Sequence, residues 1–233
     1  LRMLYDLGVR GFRFDSAKHL DPQLFPYLLA GLPPLLCFGE LVYSAPQDFP
    51  PAYWQSMKAY DFPLAHSLKR SFAMGGDLGA LLLPQALWGP LSIGFVNHHD
   101  LVKNRKGFEA FRIADLRDRQ LAYAYLLARP HGTPLIYGAD LGCAEVKAGL
   151  QLRQITQSQE MIPLAASSLH VAFAAGNGAL LIYKGGHGWK STVKVAPGLY
   201  RDLIQGQLRS TSQGTLHWEL PPRSALLLER VTP

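Results

Sequence analysis

Hydrophobic positions follow two regimes along the chain. Over the first two-thirds, short apolar runs alternate with helical stretches. "VRGFRFD" (9–15) predicts a strand in which Phe12 and Phe14 share one face while Arg13 and Asp15 share the other. "DPQLFPYLLAG" (21–31) predicts a helix with Asp21 as N-cap, Pro22 in its first position and Gly31 near its stop. "PPLLCFGEL" (33–41) is a continuous apolar run, as expected for a strand buried on both faces. "YWQSMKAYDFPLAHSLKRSFA" (53–73) combines a short strand with a helix, and "LSIGFVNHHD" (91–100) reads as another buried strand. "DLRDRQLAYAYLLARP" (115–130) is a periodic helix capped by Asp115 and stopped by Pro130, and "TPLIYGAD" (133–140) closes the series.

Five strands alternating with helices predict parallel βαβ units, in a barrel or an open sheet. From about residue 165 the pattern changes to short runs such as "SLHVAFAA", "ALLIYKG" and "LHWELP" between Gly, Asn and Pro turns, with a hairpin signal at "AAGNGA" (174–179). This second regime predicts an antiparallel all-β module. The expected division is 1–155 for the α/β part and 156–233 for the β part.

Composition narrows the function classes. Of 233 residues, 48% are hydrophobic and 17% charged, an ordinary globular balance that argues against disorder. No apolar run reaches the roughly 18 residues a membrane span needs, so no membrane partner is expected. The net charge of +6 would suit nucleic acid only if clustered among aromatics. The densest cluster, "LVKNRKGFEAFR" (101–112), reads as a solvated loop, and no nucleic-acid partner is expected. Cys37 and Cys143 lie far apart, without metal-ligand spacing. The chain starts at Leu1, in what reads as mid-helix, and is expected to be the C-terminal part of a longer protein.

Candidate chemistry gathers where strands end. Asp15 follows "GFRF", Glu40 follows "LLCFG" and Asp100 follows "GFVNHH". In a parallel barrel such ends converge on the face that carries active sites. A lone acid after a strand is more often a helix cap or a surface residue, but Asp15 has Arg13 on its own face. A guanidinium there would hold Asp15 ionised, as a nucleophile needs. Glu40 has no obvious cationic neighbour and follows Gly39 in an apolar context, so desolvation is expected to keep it protonated, as a general acid requires. "HHD" (98–100) invites a metal reading. On a strand, however, adjacent histidines point to opposite faces, so hydrogen bonding to a polar ligand is the preferred expectation, unless the turn beyond the strand brings His99 and Asp100 together. Tyr43, Trp54, Tyr60, Phe62 and Trp88 could stack on sugar faces, though core packing explains most of them equally well.

Taken together, these motifs resemble the α-amylase family of glycoside hydrolases. "GFRFDSAKH" (11–19) resembles the family's strand-four motif, "CFGELVY" (37–43) its strand-five motif and "FVNHHD" (95–100) its strand-seven motif. "AYDFPL" (59–64) and "GTPLIYG" (132–138) resemble strands six and eight, and "GLYRDLIQG" (198–206) a stretch of the C-terminal β-domain. The resemblance implies an α/β chain, a partial (β/α)8 TIM barrel of strands 4–8 followed by a small antiparallel β-sandwich domain. It implies a retaining hydrolase of internal α-1,4-glucosidic bonds in starch-like glucans, with Asp15 as nucleophile, Glu40 as acid/base and Asp100 as third carboxylate. Arg13 would orient Asp15, His99 would hold sugar hydroxyls, and Lys18 and His19 would contact glucose units on the leaving-group side. The main chain of His19 would join a structural Ca2+ site that this chain completes only in part.

The expected partner is an α-glucan or maltooligosaccharide, and the expected state a monomer. Polymeric starch usually lies outside cells, which weakly favours an extracellular setting. Two other readings remain open, a transglycosylating glucanotransferase and a non-catalytic glucan-binding remnant. His98 departs from the family, which usually has asparagine there. The stretch "IYGADLG" after strand eight is one aromatic short of the usual pattern, and the family's first conserved motif is absent before "GFRFD".

Overall fold

The computed structural model describes residues 1–33, 35–55, 57–104, 106–156 and 159–232. Three of the predicted segments (33–41, 53–73 and 101–112) each contain one residue outside this set. The chain forms two compact units. One comprises Leu1–His66, Gln85–Phe95 and His131–Leu135; the other comprises Ser67–Pro84, Val96–Pro130 and Ile136–Pro233.

The first unit is built on five parallel strands in chain order: β1 (Gly11–Phe14), β2 (Leu36–Gly39), β3 (Lys58–Tyr60), β4 (Ser92–Phe95) and β5 (Thr133–Leu135). The five expected strands are therefore present, each shorter than its apolar run. β1 and β2 pair in register, with Arg13 opposite Phe38 and Phe14 opposite Gly39. β3 meets only Phe38 and Gly39 of β2. The expectation that this second strand is buried on both faces fails at Leu36, which is 46% exposed because it precedes the overlap with β3.

The loops after β1 and β2 share a core of Ala17, Phe25, Leu41, Phe49, Tyr53 and Met57. The Tyr53 hydroxyl donates to the carbonyl of Leu20 at 2.9 Å, which ties down the turn after β1. The first regular helices are α1 (Arg2–Asp6) and α2 (Leu24–Leu29). α2 starts two residues later than predicted. Asp21 does not cap a helix beginning at Pro22; its carboxylate instead accepts from the Gln23 N–H at 2.9 Å, in a turn that precedes the helix.

The next helices are α3 (Phe62–Phe72), α4 (His99–Lys103), α5 (Leu116–Ala128) and α6 (Ala144–Ile155). α5 starts as predicted: the Asp115 carboxylate accepts from the Asp118 N–H at 3.0 Å, and the helix ends before Pro130. The strand expected over 91–100 stops at Phe95, and residues 99–103 are helical.

In the second unit, strands β6 (Ile162–Ala166), β7 (His170–Ala175), β8 (Gly178–Tyr183), β9 (Trp189–Lys194), β10 (Leu199–Asp202), β11 (Leu208–Ser210), β12 (Thr215–Leu220) and β13 (Ser224–Thr232) form two antiparallel sheets. The larger has the order β11-β10-β13-β8-β7-β6, and the smaller pairs β12 with β9. Leu181, Leu226 and Leu228 of the large sheet share one core with Val193, Leu216, Trp218 and Leu220 of the small one, as in a two-layer sandwich. The predicted hairpin is present: Ala175 pairs with Gly178 across a two-residue turn in which Gly176 takes a left-handed φ of 51°. All six residues of β8 are buried. One face meets the small sheet, and α5 covers the large sheet's other face, with the Tyr125 ring 5.9 Å from that of Phe173 on β7.

Candidate active site

Three charged side chains meet at the carboxyl ends of β1 and β2. Arg13 Nη1 lies 2.7 Å from Asp15 Oδ1, and Arg13 Nη2 lies 3.2 Å from Glu40 Oε2. The period-two rule already puts Arg13 beside Asp15. Parallel pairing adds Glu40, because the Glu40 N–H donates to the carbonyl of Phe14 at 2.9 Å and so extends the ladder one step beyond the strands. The expectation that Glu40 lacks a cationic neighbour is thus overturned: register brings Arg13 to it from 27 residues away.

The turn after Asp15 completes the arrangement. Ser16 has φ 47° and ψ 33°, a left-handed conformation that a non-glycine residue adopts only at a cost. In that conformation its N–H points at Glu40 Oε2, 3.3 Å away. Gly39 makes room for this turn, since a Cβ there would come within 3.0 Å of Ala17 Cβ and 2.9 Å of Met57 Cε. Glu40 is 7% exposed, whereas the Asp15 side chain is 72% exposed. Burial works to lower the Arg13 pKa, but the hydrogen bond to Asp15 and the charges of Tyr60 and Glu40 outweigh it and raise it above its ordinary value. The guanidinium carbon sits 5.6 Å from the Tyr60 ring centre.

Lys18 and His19 occupy the single 3-10 turn Ala17–His19. Lys18 Nζ is 5.9 Å from the Tyr43 ring centre, and His19 is exposed. Of the aromatics considered for sugar stacking, Tyr60 and Phe62 are core residues and Trp88 is 73% exposed. Tyr43 and Trp54 are partly buried against the loop core.

His98, His99 and Asp100 belong to the second unit and form a cluster of their own. Asp100 Oδ2 lies 3.1 Å from His99 Nε2 and 3.7 Å from His98 Nδ1. Strand alternation does not separate the histidines, because the strand has ended and His98 caps α4, accepting from the Asp100 N–H at 3.4 Å. Just before them, Asn97 Nδ2 donates to Asp140 Oδ2 at 3.1 Å, and the buried Tyr123 hydroxyl donates to the same oxygen at 2.8 Å. Burial, then the Asp140 charge, push the Tyr123 pKa far up, so its proton stays in this network.

Among the buried acids that sequence reasoning passed over, Asp61 and Asp140 lie at the ends of apolar runs. Asp61, fully buried after β3, accepts from the N–H groups of Leu64 (2.9 Å) and Leu87 (3.1 Å) and from Ser92 Oγ (2.7 Å). Asp140 anchors Asn97 as described. Both carry the sign that flagged Asp15, an acid at the end of an apolar run. Among the described residues, the group of His, Cys, Asp and Glu side chains close enough to share an ion is His98, His99 and Asp100, and no such group includes His19.

A five-stranded parallel sheet with paired carboxylates at its strand ends, in a chain that continues into antiparallel β-sheets, fits part of a barrel followed by a β-domain. No family model matches the chain. An α-amylase of Aeromonas hydrophila is 35% identical over 168 residues, which cover 65% of this chain and 35% of that protein. The crystal structure of α-amylase I from Eisenia fetida superposes with a TM-score of 0.85 at 16% identity, covering 97% of this chain and 62% of that one. CldA, a cyclomaltodextrin glucanotransferase, superposes with a TM-score of 0.71 at 19% identity, covering 99% and 58%. These likenesses support the resemblance of the chain to the C-terminal part of α-amylase family glycoside hydrolases. The chain spans about a third of the length of the curated relative.

Proposed function

We propose that the protein is a retaining hydrolase of internal α-1,4-glucosidic bonds in starch-like glucans, with strands 4–8 of a (β/α)8 barrel in residues 1–155 and a β-domain in 156–233. The observation that carries this reading is the Arg13 guanidinium shared by Asp15 and Glu40 at adjacent strand ends. In this mechanism an Asp15 oxygen attacks the anomeric carbon as the bond to the leaving oxygen breaks, and Glu40 gives that oxygen its proton. Water then attacks the glycosyl-enzyme ester at the same carbon, Glu40 takes the water's proton, and Asp15 leaves as carboxylate. Arg13 keeps Asp15 oriented. The exposure of Asp15 beside a buried Glu40 suits a nucleophile open to a polymer and an acid shielded from water. Asp100 and His99 as holders of sugar hydroxyls, and Lys18 and His19 as contacts on the leaving-group side, come from their motifs. Calcium held in part by the His19 main chain belongs to the same proposal, and no step runs through it.

The proposed partner is a maltooligosaccharide or longer α-glucan. A mutant of the Eisenia fetida enzyme with the same fold is known in complex with maltohexaose. The test is to follow maltooligosaccharide cleavage by the full-length protein with NMR of the nascent anomeric proton and product sizing. Shorter products born in the α configuration are expected. A β product would sink the retaining mechanism. Products longer than the substrate would favour the glucanotransferase reading, which the CldA likeness keeps in play. Glucan binding without turnover would favour a non-catalytic role.

A further inference from the structure

We propose that His98, His99 and Asp100 form a binding site for a divalent transition ion of the zinc class, separate from any calcium. One ligand atom from each residue lies within 4.8 Å of the other two. A tetrahedral ion with bonds of about 2.0–2.1 Å holds its ligands roughly 3.4 Å apart, so small rotations of the exposed side chains close the site. Two of the separations, 3.1 and 3.7 Å, already bracket that value. His98 Nδ1 faces the Asp100 N–H at 3.4 Å, and as an acceptor it supplies the lone pair that an ion needs. That contact is long for a hydrogen bond, and an ion displaces little by taking the lone pair.

The His98 ring is 2% exposed and stands edge-on to Phe108 at 5.8 Å, which fixes its direction. His99 at 45% and Asp100 at 28% side-chain exposure leave an entry path and an open fourth position for water. Two imidazoles and one carboxylate select zinc, copper or nickel over calcium or magnesium, which take oxygen shells. His98 is central, because an asparagine in its place would leave one imidazole and one carboxylate. A consequence that rests on the proposed hydrolase reading is inhibition: an ion on Asp100 removes that carboxylate from the sugar.

The test titrates Zn2+ into metal-free full-length protein by calorimetry, with Co2+ absorption as a report of tetrahedral ligands. One ion per chain is expected, unaffected by excess Ca2+. His98→Asn and His99→Gln should each weaken binding by at least about 10-fold, the least seen even for outer-sphere partners. His99 is exposed at the start of α4, so its variant stays informative if the buried His98 variant misfolds. Unchanged Zn2+ affinity in the folded variants, or displacement of Zn2+ by equimolar Ca2+, overturns the proposal. Glucan turnover is measured separately. Loss of turnover with intact Zn2+ binding counts against the hydrolase reading alone, and turnover without His98-dependent Zn2+ binding counts against the metal site alone.

Discussion

Acids at the strand ends of the first unit and acids at the helix starts of the second are held by different means. Asp15 and Glu40 share one guanidinium, and Asp61 adds Leu87 and Ser92 to its near neighbour Leu64. Asp115 and Asp100 sit at helix starts and meet neighbours in sequence first, with Arg223 reaching Asp115 as well. The difference is one of range. Partners that depend on sheet register are lost together when one member is removed, whereas a helix cap is a local bond whose loss stays local.

Glu40→Gln should give the largest effect. In the proposed mechanism it removes the proton donor and lowers kcat by about 10²–10⁴-fold, which steady-state rates on maltooligosaccharides measure. Losses that fall entirely on KM would mean that Glu40 binds rather than protonates. Asp61→Ala leaves the Leu87 N–H and Ser92 Oγ without their carboxylate and should cost about 1–3 kcal/mol per donor in denaturant unfolding. A cost below about 1 kcal/mol would show that the cross-strand bonds are weaker than their geometry suggests.

Arg13→Lys keeps the charge but cannot reach both carboxylates with a planar fork, and should lower activity by about 10- to 100-fold. Its effect should be strongly non-additive with Asp15→Asn; additivity would break the picture of a shared guanidinium.

Asp115→Ala, the local counterpart, should cost about 1 kcal/mol at neutral pH and add independently to any change in the first unit. The Asp118 N–H, and after it Arg223, hold the Asp115 pKa below its ordinary 3.8. A carboxyl lowered by folding stabilises above its unfolded pKa and loses that contribution as pH falls through the folded one. The gap in melting temperature between wild type and Asp115→Ala should therefore narrow below pH 3.8. A constant gap would assign the cap's value to packing rather than charge.

The features legible in the sequence are those set by near neighbours. The period of two joins Arg13 to Asp15, Asp115 and Pro130 bound α5, and Gly176 makes the hairpin between β7 and β8. Strand lengths are not legible, because a continuous apolar run does not say where pairing stops: β4 ends at Phe95 although apolar character continues to Val96. β8 shows the converse. Its run of buried residues reflects a helix on one side and a second sheet on the other, which no window of its own residues could distinguish.

By itself the sequence determined the order of elements, the change from a parallel to an antiparallel regime, and the motifs that resemble the α-amylase family. The first two follow from backbone periodicity and short-range turn chemistry, and the third from residue motifs set beside a known family. Only the tertiary structure decided that Arg13 also meets Glu40, that Asp61 joins Leu87 and Ser92, and that two adjacent histidines converge on Asp100. The first two depend on which residues face each other across the sheet, through contacts between residues far apart in sequence. The third depends on where β4 stops and α4 begins, which turns neighbouring residues together.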